Sequence, residues 1–128
     1  MLSVSRTDLR WTRQVPARLG ALLAAAAIGL SAWASHGLEP GRAQHNLLLA
    51  CLYAFAHGAV LVLASTRVAG RAGVLALWLL LLGVLLFAGS LAGSALAGWP
   101  TAAAPLGGMS MMAGWLLLAI SPLPRKAG

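Results

Sequence analysis

Few side chains in this sequence could carry out chemistry. There are three histidines (His36, His45 and His57), one tyrosine (Tyr53), one cysteine (Cys51) and two carboxylates (Asp8 and Glu39) in 128 residues. His57 sits inside a long uncharged stretch, with Tyr53 one helical turn earlier on the same face. An imidazole in hydrocarbon is costly, so it marks a candidate functional site. His57, with Tyr53 and His36 as companions, could bind haem, a quinone or a metal, or relay a proton. The structural alternative is a neutral ring hydrogen-bonded to Tyr53, Ser90, Ser94 or a carbonyl, which would fix helix register. For a lone histidine that is the more ordinary role.

The other candidates are thinner. His36 and His45 flank a loop that also holds Glu39 and Asn46, a donor set suited to zinc or copper. Nine positions and a flexible loop separate the two rings, so no metal site is expected. A bis-histidine haem would need a second midspan histidine, and the chain has none. Met109, Met111 and Met112 imitate a soft-metal stripe, but neighbouring methionines point to different helix faces and fill core gaps. Cys51 has no partner for a disulfide or a CxxC site. Paired carboxylates, a Ser-His-Asp set, a phosphate loop and a nucleotide fingerprint are all missing. The parts for hydrolysis, phosphoryl transfer and dinucleotide redox chemistry are therefore lacking. No enzymatic activity and no bound cofactor are expected.

What must position these residues follows from composition. The chain is 60% hydrophobic and 9% charged, where a soluble domain carries about 25% charged residues. A chain this short cannot hide so much apolar surface from water. Three stretches carry no charge: 19–38, 43–66 and 72–124. A membrane-spanning helix takes about 20 apolar residues. The first two stretches fit one crossing each; the third fits two, with a turn at Gly98-Trp99-Pro100. The predicted spans are 18–36, 46–66, 73–98 and 103–121. Helices are required, because lipid offers no partner for backbone groups and no barrel-type alternation is present. The fold class is an all-α integral membrane four-helix bundle.

Four basic residues precede the first span, two lie between spans two and three, and two follow the fourth; Arg42 alone lies between spans one and two. Cationic loops resist translocation, so both termini are expected on the cytoplasmic side. The net charge of +7 flanks the spans and forms no separate basic domain. It suits anionic lipid headgroups better than nucleic acid. The Arg-rich start, Leu19–Leu30 and Ala32-Trp33-Ala34 imitate a cleavable secretory signal. The apolar stretch continues through Leu38, so an uncleaved first span is expected. Arg6, Arg10 and Arg13 face away from Val4, Trp11 and Val15. That spacing suggests a short amphipathic helix at the membrane surface, an irregular basic tail being the alternative. This divides the chain into a basic segment (1–17), a four-span domain (18–123) and a basic tail (124–128).

Close helix contact in lipid relies on small residues. Span three carries two ladders, Gly89, Gly93, Ala97 and Ser90, Ser94, Gly98; span two carries Ala50, Ala54, Gly58; span four carries Ser110 and Gly114. Span three is the expected packing centre, through closure of the bundle within the chain in preference to a dimer. Trp33 and Trp99 are expected at the outer interface and Trp78 at the inner one.

Four local patterns have a familiar look. Ser35-His36-Gly37-Leu38 is similar to an A-H-G-L motif, and Tyr53-Ala54-Phe55-Ala56-His57 to Y-x-x-x-H. Leu86-Phe87-Ala88-Gly89-Ser90-Leu91 is similar to L-F-S-G-S-L. Pro105-Leu106-Gly107-Gly108 with Ala113-Gly114-Trp115 is similar to P-x-G-G…A-G-W. In this order the chain resembles, over about residues 18–123, the YgdD-like small integral membrane proteins, domain-of-unknown-function family 423. The resemblance implies a compact four-helix protein of the bacterial inner membrane and no defined reaction. It draws attention to His36, Tyr53, His57, Ser90, Gly107 and Gly108. Ala88, Ala92 and Leu47-Leu48-Leu49 depart from the family pattern, so a polar pocket under the outer loop should be thinner here. Gly107 and Gly108 could permit close helix approach, or expose carbonyls to a ligand as broken transporter helices do.

The expected function is that of an accessory or structural subunit, non-enzymatic, packing against other membrane subunits or a second copy. A small transporter or channel with a polar path past His57 is the alternative, as is a haem, quinone or metal redox module.

Overall fold

The computed structural model describes residues 5–122. Val4 and the basic tail from Pro124 to Gly128 lie outside them. Four helices follow one another: α1 (Arg6–Gly37), α2 (Arg42–Ala64), α3 (Gly70–Ala97) and α4 (Ala104–Ile120). The first three are long and apolar enough to cross a membrane. α4, with 17 residues, reaches about 26 Å, just short of a ~30 Å hydrocarbon core. The chain is an all-α membrane helical bundle.

α1 begins earlier than hydropathy suggests. Ser5 and Asp8 form a capping box: the Ser5 hydroxyl accepts from the Asp8 amide and the Asp8 carboxylate accepts from the Ser5 amide. From there the helix runs unbroken through Pro16 to Gly37. The sequence left open a short surface helix or an irregular tail; from Arg6 onward the basic segment is helical and continuous with α1. Its position is fixed by two long-range ties. Arg13 Nη1 donates to the Val68 carbonyl at 2.7 Å, and Trp78 Nε1 donates to the Thr12 carbonyl at 2.9 Å.

The connections are short and internally bonded. Gln44 Nε2 donates to the Ala34 and Leu38 carbonyls, closing the end of α1. α3 ends at Gly98, whose φ of 70° is left-handed; the Gly98 and Trp99 amides return to the Ser94 and Gly93 carbonyls. Trp99 thereby folds over Gly93. Pro105 occupies the first turn of α4, where its missing N–H costs little.

The helices run up and down, each packed on the next, with α3 also touching α1. Backbones meet at two glycine crossings. A Cβ on Gly20 of α1 would lie 2.7 Å from the Gly58 carbonyl of α2. A Cβ on Gly107 of α4 would lie 2.7 Å from the Gly83 carbonyl of α3. Larger side chains fill the remaining core, with Leu47, Leu61, Leu77, Leu80 and Val84 fully buried. Ser110 Oγ of α4 donates to the Leu79 carbonyl of α3 at 2.8 Å.

Candidate functional site

His57 is buried in α2. α2 starts at Arg42, earlier than its predicted span, so His57 lies about one turn past the helix centre, nearer the basic end. The ring has two neighbours of its own chain. Its Nδ1 is 3.0 Å from the Tyr53 carbonyl, and its Nε2 is 3.1 Å from Nε1 of Trp115 on α4. An indole N–H can only donate. Nε2 therefore accepts, and the proton sits on Nδ1, which donates one turn back along α2. The imidazole is neutral and both nitrogens are used. Around it, Tyr53 stacks on the ring at 5.8 Å, Trp115 meets it edge-on at 6.0 Å, and Phe87 of α3 leans on Tyr53 at 4.5 Å.

This cluster joins α2, α3 and α4. Its chemical reach is small, because a metal or haem iron would have to displace Trp115 or the carbonyl. Trp115 was not singled out beside His57 by the sequence; it is 58 positions away, and no local pattern signals the pairing.

The other sequence candidates fall elsewhere. His36 is exposed in the last turn of α1, at the end of the bundle away from Trp115. His45 faces a polar pocket of about 490 Å³ with Arg42, Asn46, Ser94 and Thr101. Among the described residues no three His, Cys, Asp or Glu side chains come together to hold a metal ion. Ser90 is 9% exposed, and among the described residues its hydroxyl has no hydrogen-bond partner. Cys51 is buried against a small apolar cavity of about 150 Å³ between α1, α2 and α3.

The small residues divide. Ala54 and Gly58 are buried on α2, Gly107 packs on Gly83, and a Cβ on Gly114 would lie 2.9 Å from Leu80 Cγ. Gly89 and Gly108 meet nothing: a Cβ on either has open space around it. Gly93 is covered by Trp99 of its own connection, not by another helix, and Ser94 lines the polar pocket. Sequence reasoning missed Gly20 and Gly83, each the partner in a glycine crossing.

A model of the DUF423 proteins, described as proteins of unknown function, matches residues 30–108, from the end of α1 into α4. The chain belongs to this family. A UPF0382 membrane protein of Staphylococcus haemolyticus is 36% identical over 111 residues, covering 80% of this chain and 90% of that protein. No solved structure matches the chain. The DUF423 match spans the α1–α2 connection, the His57 cluster up to Phe87, and the Gly83–Gly107 crossing, but it stops before Trp115.

Proposed function

We propose that this DUF423 protein is a non-enzymatic accessory or structural subunit of the bacterial inner membrane, with both termini cytoplasmic, packing against other membrane helices. The carrying observation is the saturation of His57. The buried imidazole spends both nitrogens on its own chain, so it acts as a clamp between α2 and α4 and not as a vacant ligand. α4 supports the same reading. Its backbone packs on α3 and approaches neither α1 nor α2. An open apolar groove of about 480 Å³ is left beside α2, lined by Val60, Leu63, Ala64 and Leu118. A neighbouring helix would find an unfilled surface there.

The test combines intact-complex mass measurement after mild-detergent extraction with photocrosslinking from Leu63 or Leu118. The expected result is a stoichiometric protein adduct from both positions and none from exposed Leu22 of α1. A chain that runs as a bare monomer and crosslinks only to lipid from all three positions would remove the proposal. Flux of a solute in liposomes, abolished in His57→Leu, would replace it with the transport reading.

A further inference from the structure

A second cleft lies at the basic end of the bundle, between the first turns of α1 and the end of α2. Arg10, Arg13, Gln14, Arg18, Ser65 and Thr66 line about 430 Å³. The α1 residues share a face because they recur at helical spacing. Arg13 is half-buried and tied through Nη1 to the Val68 carbonyl, which fixes one guanidinium at the wall; its other donors have no partner among the described residues. Arg10 and Arg18 are exposed, and among the described residues neither has a hydrogen-bond or ion-pair partner.

Among the described residues no carboxylate pairs with these arginines. Asp8 accepts from its own cap at Ser5, and Glu39 lies in the connection between α1 and α2 at the opposite end. The Ser65 and Thr66 hydroxyls donate to the Val62 and Leu63 carbonyls, so the guanidiniums carry any recognition. Planar guanidinium donors match phosphate oxygens in pairs. The depth is also telling. Trp11, next to Arg10 in the chain, is 63% exposed, and Trp78 is tied to Thr12. Indoles at both places suit the headgroup layer of a membrane.

We propose that this cleft is a binding site for a phosphate group, carried by an anionic membrane lipid or free in solution, with Arg10, Arg13 and Arg18 as its ligands. Unlike general attraction between a basic surface and a membrane, this assigns the effect to particular arginines. The test uses the full chain in neutral detergent. Dioleoylphosphatidylglycerol and dioleoylphosphatidylcholine are added in equal amounts, and retained adducts are read by native mass spectrometry. Inorganic phosphate is tested separately by thermal shift against chloride at constant ionic strength.

If the source is a lipid, phosphatidylglycerol adducts exceed phosphatidylcholine adducts by roughly tenfold. Arg10→Gln/Arg18→Gln then brings the ratio close to parity, while the charge-matched Arg42→Gln/Arg71→Gln keeps it. If the source is free phosphate, there is no lipid preference, and inorganic phosphate raises the melting temperature of the wild type but not of Arg10→Gln/Arg18→Gln. Among the described residues the two exposed arginines hold no hydrogen bond or ion pair, so their removal is expected to leave the fold intact; an unchanged melting temperature without phosphate checks this. Equal loss of binding in both double variants, or neither lipid preference nor phosphate shift, overturns the site.

Discussion

α2 is held on two sides by different means. Towards α1 its backbone comes into contact at Gly58 on Gly20, with no side chain between. Towards α4 the backbones stay apart, and His57 and Trp115 bridge the gap through a 3.1 Å hydrogen bond. The first seam is stiff, since nothing can move without separating two main chains. The second is a strut between side chains with an open groove alongside. In lipid there is no hydrophobic drive to close such a groove, so close packing and a few polar bonds must fix the helices. Flexibility and room for a partner therefore concentrate on the α4 side.

The largest expected effect lies at the stiff seam. Gly58→Leu forces α1 and α2 apart, because even a Cβ on Gly58 meets the Gly20 backbone. A loss of about 3 kcal/mol or more is expected, read as a steep drop in melting temperature in detergent. Gly83→Leu should do the same at the α3/α4 crossing, where a Cβ would lie 2.7 Å from the Met111 amide nitrogen. If both variants melt with the wild type, the glycine crossings are not what sets helix spacing.

A smaller effect is expected at the strut. Trp115→Phe removes the indole donor to His57 Nε2 and keeps most of the ring volume. Trp115 is 45% exposed and polar bonds between membrane helices are weak, so the loss should be about 1 kcal/mol. Nitrogen NMR sharpens the same point: the wild-type ring should show a protonated Nδ1 and a bare Nε2. A protonated Nε2 would mean that Trp115 does not donate there, and the clamp would be lost as an explanation.

These seams differ in how legible they are from sequence. The spans follow from charge-free length, and the turn at Gly98 from its neighbours, because hydropathy and backbone freedom are properties of adjacent residues. The helical nature of the basic segment is legible in the Ser5–Asp8 capping box, which hydropathy overlooks because the segment is polar. Gly58 was visible as a small residue, yet its partner Gly20 was not. A small-residue ladder fixes a face of one helix and says nothing about the register of the helix opposite. In a chain with 15 glycines, ladders also arise where nothing packs, as at Gly89. The His57–Trp115 bond is hidden for a related reason: it depends on how far α4 slides along α3, which Gly83, Gly107 and Ser110 set together.

The smallest effect separates the glycines that pack from those that do not, with one substitution applied to both groups. Alanine lowers the entropy of the unfolded helix and favours helix over glycine by roughly 0.5–1 kcal/mol where nothing opposes it. At Gly89 and Gly108 an added methyl meets open space. Gly89→Ala and Gly108→Ala should therefore leave the isolated chain as stable or slightly more stable. Gly20→Ala should lower stability, since the same methyl meets the Gly58 carbonyl at 2.7 Å. Opposite signs for one chemical change cannot come from helix propensity, which is alike at interior sites. They require that the contact at Gly20 is made and the one at Gly89 is not. If Gly89→Ala destabilised the purified monomer as much as Gly20→Ala, the open face of α3 would be packed by the chain itself, and the contrast between seams would fail.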